Sequence, residues 1–155
     1  MKHHFKSILK YFIAIATILF VFFSPFKIIK VQGSSMYPTY VNNQLLLAIK
    51  TNNFKKNDVV VSNDEGYNIL KRIKFIEGET VYSFCQDTDS VIKIINFNEY
   101  KKLFKNHSSK AFIDKTEVLK NQVYLLGDNL NNSDDSRRFG CVNLKSLKYK
   151  IIYPL

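Results

Sequence analysis

Three stretches of this chain carry side chains of the right types and order to do chemistry. The first, Gly33-Ser34-Ser35-Met36-Tyr37-Pro38-Thr39, presents a serine with no histidine close to it in the chain. A serine hydroxyl is a weak nucleophile until an adjacent base takes its proton. The second, Ile69-Leu70-Lys71-Arg72-Ile73, supplies a lysine. The third runs Gly127-Asp128-Asn129-Leu130-Asn131-Asn132-Ser133-Asp134-Asp135-Ser136-Arg137-Arg138-Phe139-Gly140 and is dense in polar groups that must satisfy one another.

Each stretch has a plain alternative. In an extended segment side chains alternate between faces, so Ile69, Lys71, Ile73 and Phe75 share one and Leu70, Arg72, Lys74 and Ile76 the other. Lys71 therefore stands among apolar neighbours. It either snorkels off a half-buried face or is desolvated into a base. A free lysine has a pKa of ~10.4 and is charged at neutral pH. Burial lowers it by up to ~3–5 units, and a three-unit drop costs about 4 kcal/mol. Only a folded, water-poor pocket supplies that. At the serine, Pro38 fixes its own φ and keeps Tyr37 extended, a stiff corner that is also compatible with an ordinary surface turn. In the third stretch Gly127-Asp128-Asn129 has turn chemistry. Asp135 and Arg137, two apart, are placed to pair bidentately, and Ser133 and Ser136 add hydroxyls. A solvated polar loop is the alternative there.

The elements that must position these groups are short strands. Gln44–Ile49, Asp58–Ser62, Asn68–Ile76, Val81–Phe84, Val91–Ile95, Gln122–Leu126 and Tyr149–Tyr153 are apolar or β-branched runs separated by asparagine-rich connections. Ile28, Ile29 and Val31 begin the extended structure. A turn is expected at Glu77-Gly78-Glu79, and Glu99–Phe104 reads as a short helix or a loop. The expectation is a mostly β, antiparallel domain over residues 28–155.

Residues 1–27 read differently. Lys2, Lys6 and Lys10 precede a run from Tyr11 to Phe26 with no charge. Sixteen helical residues rise roughly 24 Å, and snorkelling by Lys10 and Lys27 brings the span towards a ~30 Å hydrocarbon core. A cleaved signal peptide shares the basic front and apolar middle, but Ser24-Pro25-Phe26-Lys27 follows instead of an Ala-x-Ala site. The reading is one uncleaved N-terminal transmembrane helix. The flanking lysines place the N-terminus inside and the β-domain across the membrane.

Composition narrows the partners. The formal charge is +10; residues 1–30 hold five of the 23 basic residues and no acid. That excess beside an apolar run points to a lipid bilayer. No basic stripe interleaved with aromatics points to nucleic acid. Cys85 and Cys141 are too few for a disulfide scaffold and form no metal-ligand pattern; they either pair or stand as separate buried thiols. No metal and no cofactor is called for.

Taken together and in order, the three stretches resemble the type I signal peptidases, also called leader peptidases. That family is marked by a Ser-Met-x-Pro-Thr box, a Lys-Arg strand and a Gly-Asp-Asn-x-x-x-Ser-x-Asp-Ser-Arg-x-x-Gly box. Here these read Ser35-Met36-Tyr37-Pro38-Thr39, Lys71-Arg72, and Gly127-Asp128-Asn129 through Ser133, Asp135-Ser136-Arg137 and Gly140. The resemblance implies a serine–lysine dyad, with Ser35 attacking the scissile carbonyl and neutral Lys71 as general base. It implies that the Ser35 N–H helps hold the oxyanion, that Ser133 orients the lysine, that Asp135 and Arg137 form a supporting ion pair, and that Asp128 supports from further out. The substrates implied are exported precursors with signal peptides, bound as an added strand with small side chains one and three residues before the cut.

Departures from the family pattern are also present. Gly33 stands where some members carry a serine that aids the oxyanion. Gly-Asp turns of the family read Asn42-Asn43 and Asn57-Asp58, and Leu130 replaces an arginine usual in bacterial members. Leu130 and the Tyr153-Pro154-Leu155 ending look like the mitochondrial inner-membrane peptidases, which would bring a partner peptidase subunit. The long segment between Lys71 and Gly127 suits small bacterial forms, including the conjugative-pilus maturation branch. The resulting expectation is a membrane-anchored peptidase of a bacterial plasma membrane. The alternatives are the mitochondrial inner membrane, a pilus-maturation enzyme, or a non-catalytic relative that only binds precursors.

Overall fold

The computed structural model describes residues 10–17, 24–64, 66–86, 92–105 and 111–155. Among these residues ten strands follow one another: β1 Phe26–Lys30, β2 Leu45–Lys50, β3 Val59–Asp64, β4 Tyr67–Ile76, β5 Thr80–Gln86, β6 Lys93–Ile95, β7 Ala111–Glu117, β8 Gln122–Leu126, β9 Val142–Asn143 and β10 Leu147–Pro154. Seven form one sheet in the order β1-β2-β10-β3-β4-β8-β9, and β6-β5-β7 form a second. Every pairing is antiparallel.

The strand at the centre of the large sheet explains the run Val59-Val60-Val61. Val59 and Val61 pack with Val31, Met36, Leu46, Ala48 and Ile151. Val60 points the other way, into Ile73, Val123, Leu125, Val142 and Leu147. Both faces of β3 are covered, so an alternating pattern would leave polar groups buried, and an unbroken apolar run is what such a strand needs. A third cluster, Val81, Val118, Tyr124 and Leu126, joins the second sheet to β8.

Several boundaries differ from expectation. Val31 lies just past β1 as a buried core residue. β6 starts at Lys93; Val91 falls outside the described residues. The ambiguous segment is a helix, Phe97–Lys105. Asn96 caps it, its Oδ1 accepting from the Glu99 N–H at 2.9 Å while Glu99 Oε2 accepts from Asn96 Nδ2 at 3.1 Å. β7 follows where the sequence carries no strand signature, because Asp114, Lys115 and Glu117 break the apolar pattern. The two altered turns keep a left-handed residue: Asn43 has φ 70° and Asn57 φ 72°. Asparagine is the side chain that tolerates this region best after glycine.

Residues 10–17 are helical. Among the described residues no helix is long and apolar enough to cross a membrane. Of the expected span Tyr11–Phe26, residues 18–23 lie outside the described residues, as do residues 1–9 before it, and its last residue, Phe26, begins β1.

Candidate active site

Ser35 opens a tight turn shortly after β1. The Tyr37 N–H donates to the Ser34 carbonyl at 3.0 Å and the Tyr40 N–H to the Met36 carbonyl at 2.9 Å. Met36 is 1% exposed and plugs the turn into the core beneath it. Ser35 therefore sits beside an anchored residue, on a corner that cannot drift from the sheet.

Lys71 comes from the middle of β4. The burial pattern alternates as expected, with Lys71 and Ile73 buried and Arg72 and Lys74 more open. Across the ladder Lys71 faces Val60, which is fully buried. Lys71 itself is 5% exposed. Its Nζ donates to Ser35 Oγ at 2.8 Å. Burial pushes the Lys71 ammonium below its ordinary range; the nearby carboxylates of Asp135 and Asp134 oppose this only in part. With the amine neutral, the same separation lets the Ser35 hydroxyl donate to the nitrogen lone pair. A nucleophile and a base within hydrogen-bond reach is the arrangement acyl transfer requires.

The third stretch wraps behind this pair. Asp135 is fully buried. It caps the one-turn helix Ser136–Phe139 and accepts from the Gly127 N–H at 3.0 Å. Arg137 grips it through Nε at 2.8 Å and Nη2 at 2.9 Å. Burial pushes the Asp135 carboxyl up, but the bonds from Arg137 and the Gly127 N–H outweigh it and hold the group below the usual carboxylate range. Arg137 also donates to the Ile92 carbonyl at 3.1 Å, tying the site to the approach of β6. Ser136 Oγ accepts from the Leu125 N–H at 2.9 Å, fixing the helix to β8.

Asp128 does something the sequence did not suggest. It joins all three stretches: Arg72 donates to it from Nε at 2.8 Å and Nη2 at 2.7 Å, and Thr39 Oγ1 donates at 2.6 Å. Burial raises the Asp128 carboxyl, and these bonds together bring it below its ordinary value. Arg72 and Thr39 are thus site-building residues that sequence reasoning passes over. Contacts of three asparagines escape it as well. Asn42 Oδ1 accepts from the Gly33 N–H at 3.0 Å. The Asn129 N–H and Nδ2 donate to the Ser35 and Ser34 carbonyls at 2.9 and 3.1 Å. Asn132 Nδ2 donates to Ser34 Oγ at 2.8 Å. Their signal is present only as an excess of asparagine in and around these stretches, with no way to assign partners.

For Ser133, expected to orient the lysine, no hydrogen bond to Lys71 is seen among the described residues. Among the described residues its Oγ is buried without a well-aligned hydrogen-bond partner, though it lies near enough to Asp135 to help hold that carboxyl down. It lies against Gly127, where an added Cβ would collide with Ser133 Oγ and come within 2.6 Å of the Ser35 carbonyl oxygen. Glycine is required there by close approach. Cys85 and Cys141 are not bridged to each other. Among the described residues no cluster of three or more His, Cys, Asp or Glu could hold a metal ion.

Known proteins share this sequence pattern. The profile of the family described as "Signal peptidase, peptidase S26" matches residues 4–154. A protein named Signal peptidase I P from Bacillus subtilis subsp. natto is 31% identical over 142 residues, covering 81% of this chain and 76% of that one. Signal peptidase I U from Bacillus subtilis (strain 168) is 31% identical, covering 79% and 70%. Mitochondrial inner membrane protease subunit 1 from Xenopus tropicalis is also 31% identical, covering 80% and 67%. A crystal structure of a signal peptidase I from Enterococcus faecalis aligns with a TM-score of 0.41 at 22% identity, over 64% of this chain and 97% of that one.

Proposed function

The chain belongs to the signal peptidase family, peptidase S26, and on that premise we propose that it is a membrane-anchored serine endopeptidase that removes signal peptides from exported precursors. Ser35 is the nucleophile and Lys71 the general base. The single observation that carries this reading is the 2.8 Å contact between Lys71 Nζ and Ser35 Oγ, formed by a lysine that is 5% exposed.

In the first step Ser35 Oγ adds to the scissile carbonyl carbon as its proton passes to Lys71 Nζ. The carbonyl oxygen takes the electron pair, and the Ser35 N–H stabilises it. The C–N bond then breaks, and Lys71 returns the proton to the leaving amine. Water, deprotonated by Lys71, hydrolyses the resulting ester and frees Ser35. An extended precursor segment has a place to bind. Among the described residues, on the side away from β3, β4 pairs with β8 only between Arg72 and Ile76. Its backbone before Lys71 is available for an added strand.

Residues 1–27 hold the anchor in this reading, its helix ending before β1 begins at Phe26, with the N-terminus inside and residues 28–155 across the membrane. Their support is the uncharged run between lysines. The membrane is bacterial, in keeping with the Bacillus relatives.

The test is cleavage of an Ala-x-Ala precursor by full-length protein in lipid vesicles, with labelling of Ser35 by an acylating reagent. Cleavage lost in Ser35→Ala and in Lys71→Ala, with fold retained, is the expected result. A wild-type protein that leaves the precursor intact, or a Ser35→Ala variant as active as wild type, overturns the reading.

A further inference from the structure

We propose that Asn129 and Asn132 are positioning residues: they clamp the peptide between Ser34 and Ser35 so that the Ser35 N–H is aimed at the oxygen of the scissile carbonyl. This inference rests on the serine–lysine peptidase reading. A trans peptide unit is planar, and its C=O and N–H point in opposite directions. Whatever holds the Ser34 carbonyl oxygen therefore sets the direction of the Ser35 hydrogen.

That oxygen is held twice. The Tyr37 N–H donates to it at 3.0 Å from within the turn, and Asn129 Nδ2 donates at 3.1 Å from the third stretch. One donor leaves the plane free to rock about the bond; a second from another element removes that freedom. Asn129 also spans the nucleophile, because its own N–H donates to the Ser35 carbonyl at 2.9 Å. One residue thus grips the carbonyls on both sides of the Ser35 Cα. Asn132 completes the clamp. Its N–H donates to the Asn129 carbonyl at 3.0 Å, and its Nδ2 donates to Ser34 Oγ at 2.8 Å. Upstream, Gly33 has no side chain to share this task. Its φ of +81° lies in a region open to glycine, and its N–H is tied to Asn42 Oδ1. Among the described residues the Ser35 N–H has no acceptor of its own, as a donor kept for a developing oxyanion requires.

A positioning role differs from a merely structural one in what it moves. An oxyanion forms only after attack, so loss of aim lowers kcat and leaves KM nearly unchanged. A peptide aldehyde ending in Ala-x-Ala reports the same step. Ser35 Oγ adds to its carbonyl carbon, the hydroxyl proton passes to Lys71, and the former carbonyl oxygen becomes the anion that the Ser35 N–H must meet. Asn129→Ala in the full-length protein in vesicles is expected to lower kcat by about 10–100-fold. KM should stay within about twofold, and the aldehyde inhibition constant should rise by a factor matching the loss in kcat. Ser34→Ala and Asn132→Ala should each lower kcat by about 3–10-fold, and the double variant should be no worse than either alone, since both remove one hydrogen bond. Wild-type kcat in Asn129→Ala overturns the proposal. So does a fall in kcat without weaker aldehyde binding. If Asn129→Ala does not fold, the Ser34/Asn132 cycle decides, and additive effects there overturn it. Ser35→Ala in the same assay separates the layers. Cleavage by Ser35→Ala removes the peptidase reading itself, whereas inactive Ser35→Ala beside a fully active Asn129→Ala removes only this inference.

Discussion

Arg72 and Asp128 lie 56 positions apart in the chain and meet through two parallel N–H···O bonds, with Nε at 2.8 Å and Nη2 at 2.7 Å. The pair is mostly sheltered, with side chains 20% and 12% exposed. Because Arg72 adjoins Lys71 and Asp128 also accepts from Thr39, this fork locks the lysine strand to the serine turn. Arg72→Lys keeps the charge but loses the fork. It should cost about 1–2 kcal/mol and lower kcat/KM together with the thermal midpoint. A variant with wild-type stability and turnover would show that the fork is dispensable.

Gly127→Ala tests close approach. The added Cβ would press on Ser133 Oγ and on the Ser35 carbonyl, and overpacking of this kind costs about 1–3 kcal/mol. Activity should fall further than stability, because Ser35, the proposed nucleophile, is itself displaced. Adding Ser133→Gly removes one clash and leaves the one with the Ser35 backbone. The double variant should recover thermal stability and stay poorly active; full recovery of both would mean that Ser133 alone sets the requirement.

Lys71 predicts a pH profile. Its folded pKa lies below the ordinary 10.5 because burial disfavours the ammonium. kcat/KM should rise with pH as the amine loses its proton, with the midpoint below that value. Asp134 raises the Lys71 pKa, so Asp134→Asn should shift the rising limb to lower pH. A shift to higher pH, or a limb that ignores both residues, would assign the titration elsewhere. The same depression weakens the fold. Between the lowered value and 10.5 the unfolded chain binds a proton that the native state excludes, so stability rises with pH across that window. Lys71→Met should abolish turnover while raising the melting temperature at neutral pH by about 2–4 °C, the shift expected for ~1 kcal/mol in a chain of this size.

Asp135 works in the opposite direction. Its folded pKa is held below the ordinary 3.8. The unfolded state binds more protons just beneath that value, so the stability it contributes is complete above 3.8 and is lost as pH falls through the folded value. Asp135→Asn leaves Arg137, 5% exposed, without its counter-charge, and should cost about 3–5 kcal/mol at neutral pH. It should also flatten the acid limb of the stability curve, as followed by thermal unfolding between about pH 2 and 6. An unchanged acid limb would mean that other carboxylates dominate acid unfolding.

How much of this is legible in the sequence depends on distance along the chain. The Asp135–Arg137 pair can be anticipated from its spacing, although the two do not meet as neighbours on an extended face: Asp135 caps the helix that contains Arg137, and the guanidinium folds back onto the cap carboxylate. The buried side of Lys71 can be read from alternation, since Ile73 repeats on its face. The central strand announces itself through three consecutive valines. The Arg72–Asp128 fork cannot be read, because no local pattern joins residues from different strands; the side of β4 that carries Arg72 looks like a plain charged face. The asparagine contacts are hidden for a related reason. A side-chain amide both donates and accepts, so its type does not specify a partner. The helix Phe97–Lys105 stays ambiguous because it is short and none of its residues is buried; its apolar stripe, Phe97, Tyr100 and Phe104, is spread over two turns and covered mainly by Tyr82. The small strand β7 is masked by its own charges.

Val60 stands directly across the ladder from Lys71 and is sealed from solvent. It touches no substrate in the proposed mechanism, yet it lies on the same face of the sheet as the buried lysine. Side chains opposite one another in an antiparallel ladder share a face, so in the proposed mechanism the alkalinity of the Lys71 nitrogen is set partly by an apolar neighbour on its own side of the sheet. An enzyme working in the proposed way can have its working acidity retuned by editing one aliphatic side chain beside the lysine, with every group that handles the precursor left as it was.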